Sequence, residues 1–194
     1  MYIPKASQRK LTQVQPYRWT RQEYEKMVEI GLFPSGTRLE LIEGEILEMA
    51  AHTSYHAAAT TIIQRYLERM YGAAYHVRVQ LPLALSDDSE PEPDLAVVEG
   101  LPEDYWHAHP RTALLIVEVA YSSLDHDQER KRHLYARNGL PEYWILNLQE
   151  RQLEVYREPE GEEYLSQMIL RTGDVVSPLA YADASIAIVD LLPR

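Results

Sequence analysis

The 194-residue sequence predicts a single α/β domain built on a mixed sheet. Residues 94–98 and 114–119 are almost wholly apolar, which is typical of central strands covered on both faces. A helical pattern over 125–138 separates the second run from another apolar strand at 143–148. This strand, helix and strand should form a parallel pair with a right-handed connection. The chain is long enough to bury a sizeable core.

The elements before this unit begin with a tail. Residues 1–18 contain four basic residues, no acidic residue and no periodicity, so we expect a flexible tail before a domain over 19–194. Thr20 and Glu23 form a capping-box pattern, which predicts a peripheral helix over about 21–30.

A hairpin and a long helix follow. Residues 38–49 alternate in polarity around Glu43 and Gly44, the pattern of two antiparallel strands joined by a glycine-containing turn. Apolar residues recur at helical spacing over 54–71, and Gly72 supplies a stop.

The remaining elements are strands. Alternation over 75–85 predicts a half-buried strand that forms an antiparallel meander with the two central ones. After the parallel pair we expect three further strands, near 152–157, 164–170 and 185–191.

Composition limits the function classes. The chain has no cysteine, which excludes disulfides, zinc–thiolate sites and thiol nucleophiles. It shows no signal-peptide pattern and no apolar stretch of membrane-spanning length, so we expect a cytoplasmic protein without membrane contact. A formal net charge of -11 opposes a large phosphate-binding surface, although basic residues cluster on the helix at 125–138.

Two carboxylates are placed to meet at one edge of the sheet. Asp94 begins its predicted strand and Glu118 lies near the end of the next, so antiparallel pairing would bring them together. A buried carboxylate costs several kcal/mol unless it meets a positive group. Two converging carboxylates either share a proton or bind a hard cation through oxygen, and Mg²⁺ suits the second case, with Mn²⁺ as a substitute.

Lys131 lies on the inward side of the following helix. It shares a face with Leu134 and Tyr135 at spacings of i+3 and i+4, whereas Arg130 and Arg137 point elsewhere. Its ammonium group could therefore reach the two carboxylates and polarise an attacking water or stabilise a pentacovalent phosphate.

At these residues the chain resembles a known family. The matching segments are Pro93-Asp94, Glu118-Val119-Ala120, Asp127 with Lys131, Tyr135-Ala136, Glu142 to Ile145, Glu40 to Glu45, and His56. Together they resemble the Uma-type restriction-endonuclease family, formerly a domain of unknown function, of the PD-(D/E)xK nuclease superfamily.

The resemblance implies a fold, an activity and roles for residues. The fold is a restriction endonuclease-like core, and the activity is Mg²⁺-dependent hydrolysis of DNA phosphodiester bonds. Asp94, Glu118 and the carbonyl of Val119 resemble metal ligands, Lys131 resembles the catalytic lysine, Glu40 an outer acid near the metal, and His56 a group lining the cleft. Ala120 stands where the superfamily usually has its lysine, and the segment Ala120 to Ser123 departs from the family's usual Leu-Ser-Pro-Ser.

Each residue also has a structural interpretation. Glu118 and Lys131 could form an ion pair, and Asp127 with Lys131 could be an ordinary i, i+4 helix pair. Glu40 could lie on a solvated hairpin face and His56 on the surface. The alternative function is a catalytically inactive binding or accessory module, and a homodimer would supply two sites for cutting both strands.

Overall fold

The structure, a computed structural model, describes residues 14–193. The helices are α1 (Arg21–Glu29), α2 (Ser54–Tyr71), α3 (Leu124–His126), α4 (Arg132–Arg137) and α5 (Ile188–Leu191). A π-helical turn over Asp127–Lys131 joins α3 to α4. The strands are β1 (Leu39–Ile42), β2 (Glu45–Glu48), β3 (Tyr75–Val79), β4 (Leu95–Glu99), β5 (Leu115–Ala120), β6 (Glu142–Asn147), β7 (Gln152–Glu160), β8 (Glu163–Arg171), β9 (Val175–Val176) and β10 (Ile186–Ala187). None of the described helices could cross a lipid bilayer.

A six-stranded mixed sheet forms the centre of the molecule, in the order β3-β4-β5-β6-β7-β8. Strands β3, β4 and β5 form an antiparallel meander, β5 and β6 are parallel, and β6, β7 and β8 are antiparallel. The hairpin β1-β2 and the pair β9-β10 stand outside this sheet. The predicted mixed α/β architecture and its parallel pair are confirmed.

Both faces of the sheet are covered, which explains why the central strands are apolar throughout. Helix α2 and the C-terminal segment bury one face with residues such as Leu67, Val117 and Trp144. Helix α4 covers the other face, where Ile116 and Leu134 are buried. Full burial of such a side chain contributes about 1.5–3 kcal/mol. Alternation along β5 turns its even-numbered residues toward α4.

The first helices agree with the sequence pattern. Thr20 accepts a hydrogen bond from the backbone N–H of Glu23, and the Glu23 carboxylate accepts from the N–H of Thr20, so both parts of the capping box are formed. Helix α2 ends before Gly72, which has a φ of 63°.

The predicted strand over 75–85 is too long. Strand β3 ends at Val79, and Gln80 has a φ of 50° that turns the chain away. Pro82 also lacks the N–H that a sheet ladder requires. The predicted alternation fails at Arg78 as well, since that side chain is buried.

The third C-terminal strand is also different. Strand β10 has only two residues, Ile186–Ala187, and the chain continues into helix α5. Ile188 and Leu191 are spaced three apart and both are buried, which is helical rather than strand periodicity. By contrast, β7 and β8 are longer than expected, with nine residues each.

The predicted tail falls mostly outside the described residues, which begin at residue 14. Its last part contacts the hairpin. The N–H of Trp19 donates to the carbonyl of Gly44 at 2.9 Å, and a Cβ at position 44 would lie 2.8 Å from the Cβ of Arg18. Glycine is therefore needed at position 44 both for its φ of 75° and for this close approach.

Candidate active site

Asp94 and Glu118 meet at one end of the β4-β5 pair. Strands β4 and β5 are antiparallel, with Leu95 paired to Val117. Asp94, which precedes Leu95, therefore lies opposite Glu118, which follows Val117. The N–H of Asp94 donates to Oε2 of Glu118 at 3.2 Å, and both side chains are buried. The antiparallel register brings these two carboxyl groups together.

The Asp94 carboxylate is held by three donors. Its Oδ2 accepts from Nε2 of His56 and from the N–H of Val119, each at 2.9 Å, and its Oδ1 accepts from the Gln80 amide at 3.2 Å. Burial acts to raise the pKa of Asp94, but the His56 hydrogen bond, the charge on His56 and the Val119 amide lower it below its usual value.

Val119 contributes its backbone to this end of the sheet. In an extended strand the N–H and C=O of one residue point toward the same neighbouring strand. Since the N–H of Val119 donates to Asp94, the carbonyl of Val119 also faces the β4 side of the strand.

The helix that carries Lys131 is locally widened by a π-helical turn. In the turn Asp127–Lys131 the N–H of Arg132 bonds the carbonyl of Asp127, and the hydroxyl of Tyr143 donates to the same carbonyl at 3.2 Å. Asp127 and Lys131 are thereby both buried on the sheet side. Such π-helical turns are frequent at functional sites.

The Lys131 ammonium group bridges two carboxylates. Its Nζ lies 3.0 Å from Oε1 of Glu118 and 3.2 Å from Oε2 of Glu40. Burial acts to lower the pKa of Lys131, but Glu118 and Glu40 raise it well above its usual value. The hydroxyl of Tyr135 also donates to Oε1 of Glu118 at 2.9 Å. Lys131 is therefore a charged ammonium group held by hydrogen-bond contacts with two carboxylates.

Glu40 comes to the cluster from the hairpin and is completely buried. Its Oε2 also accepts from the N–H of Glu92 at 3.2 Å. Burial acts to raise the pKa of Glu40, but Lys131 outweighs it and, with His126 and the Glu92 N–H, lowers the pKa to about 2. Its Oε1 has no hydrogen-bond partner among the described residues, although Nε2 of His126 lies 3.4 Å away.

The pKa of Glu118 is shifted in the opposite direction to that of Glu40. Complete burial, together with the like charges of Asp127, Asp94 and Glu40, raises its pKa to about 8 despite the attraction of Lys131. Four carboxyl groups are buried here, those of Glu40, Asp94, Glu118 and Asp127, and among the described residues Lys131 is the only lysine or arginine within 4.0 Å of any of them. The cluster is therefore short of positive charge.

Asp127 differs from its sequence interpretation as a surface helix pair. It is buried, no oxygen of its carboxylate lies within 4.0 Å of Lys131, and its Oδ2 accepts from the hydroxyl of Ser123 at 2.7 Å. Burial raises its pKa above the usual value. Asp127 belongs to the acid cluster as a neighbour of Lys131 rather than as its ion-pair partner.

His52 is the residue that sequence analysis missed. Its ring stacks on His56 with centroids 4.1 Å apart, and His52, His56 and Asp94 offer ligand atoms within 4.8 Å of one another. This group could bind a metal ion. His52 precedes the N-cap residue of α2, Thr53, so helical spacing does not place it beside His56, and no pattern in the sequence identified it.

Four of the predicted site residues, Asp94, Glu118, Lys131 and His56, line a common cleft of about 80 Å³, whereas Val119 is not part of the lining. The lining also includes His52, Asp127 and the segment Tyr121 to Ser123. Glu40 lies behind Lys131, outside the lining.

Comparisons with known proteins agree with this geometry. A family model described as "Uma2: Putative restriction endonuclease" matches residues 21–188. Among solved structures, the chain is similar to "a putative nuclease belonging to DUF820" from Anabaena variabilis, with a TM-score of 0.68 and 17% identity, over 85% of this chain and 96% of that one. No curated protein matches the chain. The likeness between the two structures shows a shared fold.

Proposed function

The chain belongs to the Uma2 family, and on that premise we propose that it is a Mg²⁺-dependent endonuclease that hydrolyses phosphodiester bonds of DNA. The family model is described as "Putative restriction endonuclease", and the related solved structure as "a putative nuclease". The observation that carries the proposal is the cluster of four buried carboxyl groups around one ammonium group. A divalent cation would supply the missing positive charge.

The donor set fits a hard cation. Oδ1 and Oδ2 of Asp94, Oε2 of Glu118 and the carbonyl of Val119 are oxygen atoms at one end of the β4-β5 pair, and oxygen is the ligand that Mg²⁺ prefers. These three residues would hold the ion. When bound, the ion lowers the pKa of a water and neutralises charge on the phosphate. Mn²⁺ would be a substitute, because carboxylate and carbonyl oxygens suit it as they suit Mg²⁺; His52 and His56 lie beside Asp94 as further ligand atoms.

The chain's own residues position the reaction. Lys131 is a charged donor beside Glu118 and would orient the attacking water or stabilise the developing negative charge on the phosphate. Glu40 and Tyr135 hold Lys131 and Glu118 in place through the contacts at 3.2 and 2.9 Å. On the resemblance to the PD-(D/E)xK superfamily, Ala120 would occupy the strand position where lysine is usual, and the ammonium group would come from the helix through Lys131.

A catalytically inactive nuclease-fold module is the second candidate. The direct ion pair between Lys131 and Glu118 favours this candidate, because Lys131 can neutralise Glu118 as a purely structural partner. Homodimer formation, which cutting of both strands would require, is a further part of the endonuclease proposal and is tested by light scattering.

Metal binding tests the site apart from catalysis. We expect millimolar Mg²⁺ or Mn²⁺ to raise the melting temperature of the native protein but not of Asp94→Ala, because binding to the folded state alone stabilises it. Glu150→Gln, which removes one exposed carboxylate, should retain the shift. No shift in the native protein would contradict the metal site.

Nicking of supercoiled plasmid tests catalysis. The native protein and Glu150→Gln should nick DNA with Mg²⁺, whereas Glu118→Gln and Lys131→Ala should lose at least about a hundredfold in rate, as for removal of a group that stabilises transition-state charge. A metal-induced thermal shift without nicking would favour the inactive module.

A further inference from the structure

A second cavity, of about 290 Å³, lies beside the candidate cleft between α1 and the segment leading into β1. Its volume is close to the lower end of the ~300–1,000 Å³ range of small-ligand pockets. The cavity is lined mostly by apolar and aromatic side chains: Tyr24, Val28, Phe33, Pro34 and Leu39, together with Gly31 and Thr37.

Two aromatic rings form the wall that a planar ligand would meet. The rings of Tyr24 and Phe33 lie 6.1 Å apart with an interplanar angle of 44°. The Tyr24 hydroxyl donates to the carbonyl of Leu39 at 3.0 Å, which holds that ring in place. Phe33 is the only phenylalanine in the chain and is half-buried, so part of its surface remains accessible.

The cavity and the cleft share a partition. Arg38 and Glu92 line both. The N–H of Glu92 donates to Glu40 of the acid cluster at 3.2 Å, which connects the partition directly to the candidate site. A ligand that filled both spaces would cross the partition at Arg38.

Among residues 14–193 no carboxylate lies within 4.0 Å of the Arg38 guanidinium, although its charge acts to lower the pKa of the nearby Glu92. Its polar contacts are the carbonyl of Ala50 at 3.5 Å and the ring of His52. Other arginines around this hairpin are paired with carboxylates, as Arg130 and Arg137 are with Glu43. Arg38 therefore keeps its donors available for a phosphate, which guanidinium groups bind in a planar, two-point manner.

We propose that this cavity is a subsite for one unstacked nucleobase next to the phosphodiester that is cut, with Arg38 binding the intervening phosphate. The proposal rests on the proposed endonuclease function and specifies its substrate. A base can enter such a cavity only from a single strand or after leaving the stack of a duplex. Strands with an unpaired nucleotide beside the cut should therefore be preferred over perfect duplex.

Fluorescence of 2-aminopurine tests base binding directly. Short oligodeoxythymidylates carrying one 2-aminopurine at each position in turn are titrated with the full-length protein in EDTA and in Ca²⁺. Stacking on Phe33 should quench the fluorescence at one position. Phe33→Ala and Arg38→Gln should each weaken binding at least about fivefold, which is the lower end of the cost of losing one stacked base. Phe33→Tyr keeps an aromatic ring and should bind like the native protein.

Matched controls separate the subsite from general effects. Leu32→Ala alters an exposed apolar side chain of the same segment outside the cavity lining, and Arg65→Gln removes an exposed positive charge on α2. Both should bind like the native protein. The proposal is overturned if no position is quenched, or if the controls lose as much affinity as Phe33→Ala and Arg38→Gln.

Plasmid nicking by the same variants distinguishes this proposal from the endonuclease itself. Equal nicking by the native protein and Phe33→Ala, without quenching, would overturn the subsite and leave the endonuclease. Quenching that depends on Phe33, without nicking in Mg²⁺ or Mn²⁺, would support the base-binding cavity and contradict the endonuclease.

Discussion

Glu118→Gln should make the metal-free protein more stable at alkaline pH. The pKa of Glu118 lies at about 8 rather than at its ordinary 4.5, because the carboxyl group is buried among Asp127, Asp94 and Glu40. A tenfold change in proton affinity corresponds to about 1.4 kcal/mol, so ionising Glu118 costs the folded state at most about 5 kcal/mol. Glutamine has the shape of the neutral acid and avoids that cost.

The sign follows from linkage between protonation and folding. A carboxyl group whose pKa is raised in the folded state contributes stability that is complete below about pH 4.5 and is lost as the pH rises through about 8. In EDTA, the contribution of Glu118 to the free energy of unfolding should therefore fall between these pH values, and Glu118→Gln should not show this fall.

Urea denaturation from pH 5 to pH 9, in EDTA and in Mg²⁺, measures the effect. The difference between the native protein and Glu118→Gln should grow toward pH 9 in EDTA and shrink or reverse in Mg²⁺, because the ion favours the ionised carboxylate. Glu150→Gln controls for the loss of a surface charge. A Glu118→Gln variant less stable than the native protein at pH 9 in EDTA would refute the reasoning.

Two further substitutions address buried ion pairs. Lys131→Met leaves Glu40 and Glu118 without their ammonium partner and should lower the free energy of unfolding by about 3–5 kcal/mol at pH 7. In urea denaturation, adding Glu40→Gln should recover part of this loss. A neutral effect of Lys131→Met would contradict the prediction. Arg157→Met should cost about as much, because Glu142 is completely buried and accepts from Arg157 at 2.6 Å; Glu142→Gln in the same chain should recover stability, and equal unfolding midpoints of the single and double variants would count against it.

Local patterns predicted much of the fold because they depend on neighbours in sequence. The capping box of Thr20 and Glu23 specifies a helix start through two short-range hydrogen bonds. Helical phase likewise turned Lys131, rather than Arg130, toward the sheet. The prediction of a strand over 75–85 was wrong after Val79. Apolar alternation continues to Leu85, but Gln80 turns the chain and Pro82 cannot join a ladder.

Two members of the site depended on contacts between distant parts of the chain. Glu40 reaches Lys131 because the hairpin docks through a bridge between Leu41 and Glu90. His52 lies before α2 and contacts Asp94 only through the packing of that helix on the sheet. No periodicity within either segment encodes these distances.

The sequence by itself determined most of the elements and the inward face of Lys131, because the periods of helix and strand are local properties. It also identified Asp94, Glu118 and Lys131 as residues that should meet. Only the tertiary structure decided how their charges are shared. The Lys131 ammonium group contacts Glu40 and Glu118, while Asp94 and Asp127 add negative charge nearby, and the pKa of Glu40 falls to about 2 while that of Glu118 rises to about 8. That division depends on distances of about 3 Å between separate elements, since electrostatic energies in a buried site vary steeply with separation and burial.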